Sequence, residues 1–355
     1  MGNSTMEITT GIGCRIDCRH CPQSRLVARY RVRSGVMKMT FDLFRECLAK
    51  IPPDVEIHFS GMSEPWLNGE CTRMLLHAAA ENRRIAVYTT LQGMTDPDFD
   101  AMREVGYEHF TIHVPDAHGN SRIPVDDGYL RFLDRVVRCP LNVAIERQFS
   151  CHGALHPAVR AIVEGSGFRL YDSMIDRAGN LENTGPGPTT HRGRITCERA
   201  GDRLNRNVLL PDGTVLLCCM DYNMDHVLGN LHLREYADLF EGDVHRSVSM
   251  SLETGNPPSL CRKCSVAVGI EDREADLAGR VETLFLAGEA TRAMRLAADV
   301  AKRYPDNATN WNNIGVILNS LGKTGDAKDC FRAALSRDPG HPDALNNLRE
   351  MEELA

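Results

Sequence analysis

Apolar and polar positions alternate in short blocks from residue 6 to about residue 185. Residues 6–10, 55–59, 85–90, 110–114, 141–145 and 168–172 are β-branched and apolar runs, and each reads as a strand. Between them the apolar spacing switches to that of a helix over 40–49, 71–82, 96–105, 127–138 and 157–165, with Thr40 placed as an N-cap. Strand and helix units repeating in this order predict a parallel sheet with helices outside it. About six units fit, which is short of the eight of a closed barrel.

Residues 180–194 are rich in Gly, Pro and Thr and read as a linker. Two strand runs then flank Pro211-Asp212-Gly213, a hairpin signature, and open a second small domain that runs to about residue 270. From there the chain is helix former with few strand signals. The expected organisation is therefore a barrel part over 1–185, a hairpin-containing part over 186–270 and an all-α part over 271–355.

Composition narrows the function. The chain has 355 residues, 42% hydrophobic and 25% charged, as in an ordinary globular protein. A net charge of −7 argues against a dedicated nucleic-acid partner. No apolar run approaches the roughly 18 residues that span a bilayer, so no membrane partner is expected. The first residues show no basic segment leading into an apolar one, so the expected location is cytoplasmic.

In a reducing compartment the 13 cysteines need an explanation other than disulfides. Seven of them fall into two groups with ligand-like spacing. In Gly13-Cys14-Arg15-Ile16-Asp17-Cys18-Arg19-His20-Cys21-Pro22, three cysteines sit in a loop directly after the first strand. Three thiolates can hold three irons of a [4Fe–4S] cube and leave the fourth iron open, whereas structural zinc prefers four protein ligands. The second group is Cys197, Cys218, Cys261 and Cys264, two ligands flanking the hairpin and two from a C-x2-C turn. It suits either a fully ligated cube or a four-cysteine zinc site. Cys219 follows Cys218, and adjacent strand residues point oppositely, so both are not expected on one cluster.

The N-terminal spacing, its place after the first strand and the partial barrel resemble the radical S-adenosylmethionine (radical SAM) enzymes. The resemblance implies that Cys14, Cys18 and Cys21 hold a SAM-binding [4Fe–4S] cluster. On reduction, this cluster would cleave SAM to a 5′-deoxyadenosyl radical that abstracts a hydrogen atom. Phe59-Ser60-Gly61-Met62-Ser63-Glu64-Pro65 is similar to the family's Gly-Gly-Glu-Pro segment, with Met62 and Ser63 in place of the two glycines. It implies SAM contacts at Ser63 and Glu64. Thr89-Thr90-Leu91-Gln92-Gly93 resembles the family's Thr-Asn-Gly turn and implies one at Thr89. His20 falls where the family carries an adenine-facing aromatic residue. His113, Arg147 and Gln148 are expected at strand ends facing the top of the barrel, and Asp176–Asn180 resembles a family turn with Arg177 a SAM contact. The second cysteine group resembles the "twitch" version of the family's SPASM extension, with one auxiliary [4Fe–4S] cluster.

In the tail, Trp311, Gly315, Leu318, Ala327, Phe331, Ala334 and Pro339 resemble the roughly 34-residue tetratricopeptide (TPR) pattern. The fold class so read is α/β: a partial (β/α)6 TIM-like barrel, a small iron–sulfur twitch domain and an all-α TPR tail. The implied function is a radical SAM oxidoreductase with two [4Fe–4S] clusters. It would draw electrons from a flavodoxin- or ferredoxin-type reductant and act on a small polar substrate, sugar- or cyclitol-like, with the auxiliary cluster accepting an electron. Two alternatives stand beside it. One is a radical SAM peptide maturase whose TPR tail holds precursor or partner; the other is a zinc-binding interaction protein without catalysis.

Overall fold

The computed structural model describes residues 4–172, 177–181, 190–200 and 203–353. It divides into two compact units, Met1–Ala267 and Val268–Ala355.

The first unit is built on one nine-stranded sheet. Strands β1 (Thr5–Ile8), β2 (Glu56–Phe59), β3 (Ile85–Thr89), β4 (Tyr107–His113), β5 (Val143–Cys151) and β6 (Arg169–Asp172) pair in parallel in chain order, which is the expected partial barrel. Helices α1 (Gln23–Arg33), α2 (Phe41–Lys50), α3 (Cys71–Ala80), α4 (Asp96–Met102), α5 (Asp127–Arg138) and α6 (Pro157–Glu164) fall between the strands. α1 has no clear apolar period and was not expected from the pattern. The Thr40 side chain accepts from Leu43 N–H and caps α2 as expected. α5 buries Tyr129, Leu133, Val136 and Val137, one face at helical spacing.

After β7 (Ile195–Cys197), the hairpin β8 (Arg206–Leu209) and β9 (Thr214–Leu216) forms around Asp212-Gly213. It does not stand apart from the barrel. β8 pairs in parallel with β1, extending the sheet at its open edge, and β10 (Val227–Asn230) closes that edge antiparallel to β9. Helices α7 (Asp238–Glu241) and α8 (Asp243–Thr254) follow.

Strand alternation divides the sheet into two faces. Met6, Ile8, Ile57, Phe59, Ile85, Val87, Phe110 and Ile112 are at most 1% exposed and belong to the apolar core. Each such side chain contributes roughly 1.5–3 kcal/mol by leaving water. The alternate positions Glu7, His58, Tyr88, Thr111, Gln148 and Tyr171 face a lumen, so that lumen is polar. This polarity explains the error at β5. The polar run Glu146-Arg147-Gln148 looks like a strand end, but it lies mid-strand because one of its two faces is meant to be wet.

The second unit is all helical: α9 (Ile270–Leu286), α10 (Ala290–Arg303), α11 (Ala308–Ser320), α12 (Thr324–Arg337) and α13 (Pro342–Glu353). α11 lies close on α12 at Gly315, where a Cβ would come within 2.5 Å of the Phe331 ring. Ala327, Phe331 and Ala334 are at most 1% exposed. Among the described residues no helix is long and apolar enough to cross a membrane.

Candidate active site and the two cysteine sites

A cavity of about 480 Å³ fills the lumen. The loop after β1 brings Cys14, Cys18 and Cys21 together at its rim. Gly13 starts the loop at φ +89°, and Cys21 N–H donates to Cys18 O at 3.1 Å. Gln23, at the start of α1, ties the loop down. Its Oε1 accepts from Cys14 N–H at 3.3 Å, and its Nε2 donates to Cys21 Sγ at 3.5 Å and to Met62 O. Tyr222 Oη lies 3.5 Å from Cys21 Sγ. Neither Gln23 nor Tyr222 stands out in the sequence, because neither lies in a motif. Burial pushes the Cys18 thiol up to about 12, helped by its two neighbouring cysteines.

The turn after β2 forms the next wall. Gly61 sits at φ +75°, and a Cβ there would meet Thr9 Oγ1 at 2.3 Å, so only glycine fits. Glu64 lines the cavity, but its carboxylate is engaged. It accepts from Thr89 Oγ1 at 2.7 Å, from Thr90 N–H at 2.6 Å and from Thr90 Oγ1 at 2.7 Å. Burial nevertheless raises it to about 6. Thr89 is corrected by the same bonds: it is fully buried and spends its hydroxyl on Glu64, while Thr90 takes the lining position. Arg147 is corrected too. Being next to Gln148 on β5, it points to the opposite face, where it donates to Cys139 O at 2.6 Å and covers the Phe168 ring.

His20, His113 and Ser63 line the cavity. His20 and His113 gather around His152, with ring centroids 3.7 and 6.0 Å from it. Burial lowers His20 and His113 to about 3, so both imidazoles are neutral at pH 7. Arg177 also lines the cavity, above the Tyr222 ring. Asp176 and most of the 180–194 linker lie outside the described residues. On β2, His58 Nε2 meets Glu56 Oε1 at 2.9 Å, a buried pair that no motif announces.

Two observations test whether this rim suits a bound cofactor. Ser63 Oγ and His20 Nδ1 are buried without a hydrogen-bond partner. Both line the cavity beside the three thiols, where a ligand's polar groups would satisfy them. Among the described residues no three His, Cys, Asp or Glu side chains converge on a point that could hold one metal ion. Three thiolates from one loop match the three-cysteine ligation of a cube with an open iron.

Cys197, Cys218, Cys261 and Cys264 line a second cavity of about 70 Å³, with Leu204, Leu217, Leu260 and Val266 and with Glu7, Arg199 and Arg206 on the side of the barrel cavity. The C-x2-C turn closes through Cys264 N–H to Cys261 O at 3.2 Å. Arg262, buried, fastens this turn by donating to Gly193 O at 2.5 Å and to Leu252 O, near the end of α8, at 2.9 Å. Burial and the nearby thiols Cys197 and Cys264 push Cys261 up to about 12. Cys219 lines both cavities, whereas Cys218 lines only the second. Of the remaining five, Cys47, Cys71 and Cys151 are core residues, and Cys139 and Cys330 are half-buried.

Residues 197–265 match the family model of SPASM, the iron-sulfur cluster-binding domain. The fold is similar to that of Streptococcus suis SuiB bound to precursor peptide SuiA, at 10% identity, covering 74% of this chain and 70% of SuiB, with a TM-score of 0.53. BtrN in complex with AdoMet and 2-DOIA aligns at 18% identity over 76% of this chain and 94% of BtrN, with a TM-score of 0.49. anSMEcpe with bound AdoMet aligns at 12% identity over 74% and 83%, with a TM-score of 0.44. No curated protein matches by sequence. Residues 197–265 thus form a SPASM iron–sulfur cluster-binding domain, and it joins a partial barrel whose fold is similar to that of SuiB.

Proposed function

We propose that the protein is a radical SAM oxidoreductase acting on a small polar substrate in the cytoplasm, with a flavodoxin- or ferredoxin-type reductant. The observation that carries this reading is the rim of the barrel. Three thiols from one loop share a cavity with the orphaned Ser63 Oγ and His20 Nδ1. Bound there, a [4Fe–4S] cluster with SAM supplies a 5′-deoxyadenosyl radical for hydrogen-atom abstraction, and a second, twitch-type cluster supplies an electron acceptor. Cys14, Cys18 and Cys21 hold the first cluster, and Cys197, Cys218, Cys261 and Cys264 the second. Gln23 orients the first loop. Glu64 fixes the rim by joining the turns after β2 and β3, and His20, Ser63, His113 and Arg177 contact SAM. The neutral imidazoles suit an uncharged adenine or ribose better than a carboxylate.

Anaerobic reconstitution tests this. About eight irons per chain and broad absorption near 400 nm are expected. Dithionite with SAM should yield 5′-deoxyadenosine, and Cys18→Ala should abolish it. Colourless zinc-loaded protein would overturn it.

A second reading, a peptide maturase, is favoured by the helical unit, whose Gly315–Phe331 contact suits TPR-like repeats that hold a peptide or protein. If removal of residues 268–355 costs activity on a peptide, that reading stands.

A further inference from the structure

The far end of the barrel cavity carries charges that radical generation does not use. Arg206 opens β8, and its register partner is Thr5, the first residue of β1. The three cysteines follow the other end of β1. Thr5 and Ile8 are roughly 10 Å apart along the strand, so Arg206 enters the lumen well away from the SAM rim. Arg199 follows β7, two residues after Cys197. Both arginines line the barrel cavity and also the four-cysteine cavity, so they stand in the wall between the two. Neither has a hydrogen-bond or salt-bridge partner among the described residues; Arg206 is half-buried and Arg199 is exposed.

Glu7 shares this wall without pairing with either arginine. Its Oε2 accepts from Ser60 Oγ at 3.3 Å. The Tyr88 hydroxyl registers all three charges: burial and Glu7 push it up to about 12, while Arg206 and Arg199 pull the other way. A guanidinium is a rigid fork that matches a carboxylate or phosphate. Two guanidiniums without a partner among the described residues, one of them half-buried, form a site for an oxyanion at the cavity wall. The Glu7 carboxylate, which accepts from Ser60 Oγ and is hydrogen-bonded with the Cys219 thiol, then faces a hydroxyl or amine on the same molecule.

We propose that Arg199 and Arg206 bind an oxyanion of the substrate, a carboxylate or a phosphate, and that Glu7 accepts from its hydroxyl or amine. The site names the substrate class for the proposed reaction and places the substrate between the two cysteine groups. It rests on that reading only for the ligand's role as substrate.

The test uses the reconstituted full-length protein with SAM, titrated anaerobically with glucose 6-phosphate, gluconate and glucose. Both anions should bind, and glucose should bind at least about tenfold more weakly. The order of the two anions separates phosphate from carboxylate. Arg206→Gln and Arg199→Gln should each weaken anion binding by about tenfold with an unchanged melting transition. Binding of glucose as tight as that of the anions, anion binding intact in both variants, or no anion binding at all would overturn the proposal. Release of 5′-deoxyadenosine is scored separately. If it is absent while anion binding behaves as expected, the radical reading fails and the oxyanion site stands.

Discussion

Glu64 Oε2 accepts from both the N–H and the hydroxyl of Thr90, at 2.6 and 2.7 Å, so the turn after β2 and the turn after β3 are locked together at the cavity rim. The lock is made by a buried carboxylate, and that gives it a pH signature. Its proton affinity is raised from 4.5 to about 6 by burial, so the folded state holds the proton more tightly than the unfolded chain. This group therefore favours folding below pH 4.5, and that contribution, on the order of 2 kcal/mol, is lost as pH rises to about 6. Urea titrations of metal-free protein between pH 4.5 and 7 should show this slope, and Glu64→Gln should flatten it. An unchanged slope in the variant would show that the carboxylate is already ionised at pH 4.5.

The two cysteine groups should be separable. Cys261→Ala should reduce the iron content from about eight to about four per chain while 5′-deoxyadenosine formation persists. Cys18→Ala should lose the same amount of iron but all SAM cleavage. Equal effects of the two variants on cleavage would contradict two independent clusters.

Gly61→Ala should be costly. The new Cβ would stand 2.3 Å from Thr9 Oγ1 and 3.0 Å from the Thr9 backbone, on a residue at φ +75°. A loss of about 1–3 kcal/mol from backbone strain alone is expected in equilibrium unfolding. Weaker SAM binding should accompany it, since the Met62 and Ser63 lining shifts with the turn. A variant as stable as the parent would show that the turn relaxes freely.

Arg262→Leu should act through the C-x2-C turn. The substitution leaves the Leu252 carbonyl of α8 and the Gly193 carbonyl without their charged donor, a loss of about 2–3 kcal/mol. Iron at the second site should become labile to chelators before iron at the first does. Simultaneous loss from both sites would mean that the variant unfolds globally.

The grouping of the cysteines was legible in the sequence because their spacing is local. Cys14, Cys18 and Cys21 lie within eight residues, and the loop that carries them needs only a strand before it and a helix after it. The alternation of strands and helices was legible for the same reason, and six parallel strands appear where six units were counted. The strand ends were not. At β5 the polar lumen makes Glu146 and Gln148 strand residues, and a one-residue difference in facing turns Arg147 away from the cavity. Thr89 shows the same limit, since motif position alone did not distinguish a lining hydroxyl from one that props a neighbour.

The sequence by itself determined the donor types, their grouping into three and four, and the order of the elements that carry them, all set by spacings of a few residues. Only the tertiary structure decided that the hairpin joins the barrel sheet at β1, which brings Tyr222 to Cys21 across 201 positions. It also placed Arg199, Arg206 and Glu7 in one wall, with neither arginine paired to Glu7. Such relations depend on strand register and on the face each side chain takes, and both are fixed by packing across the sheet rather than by neighbours along the chain.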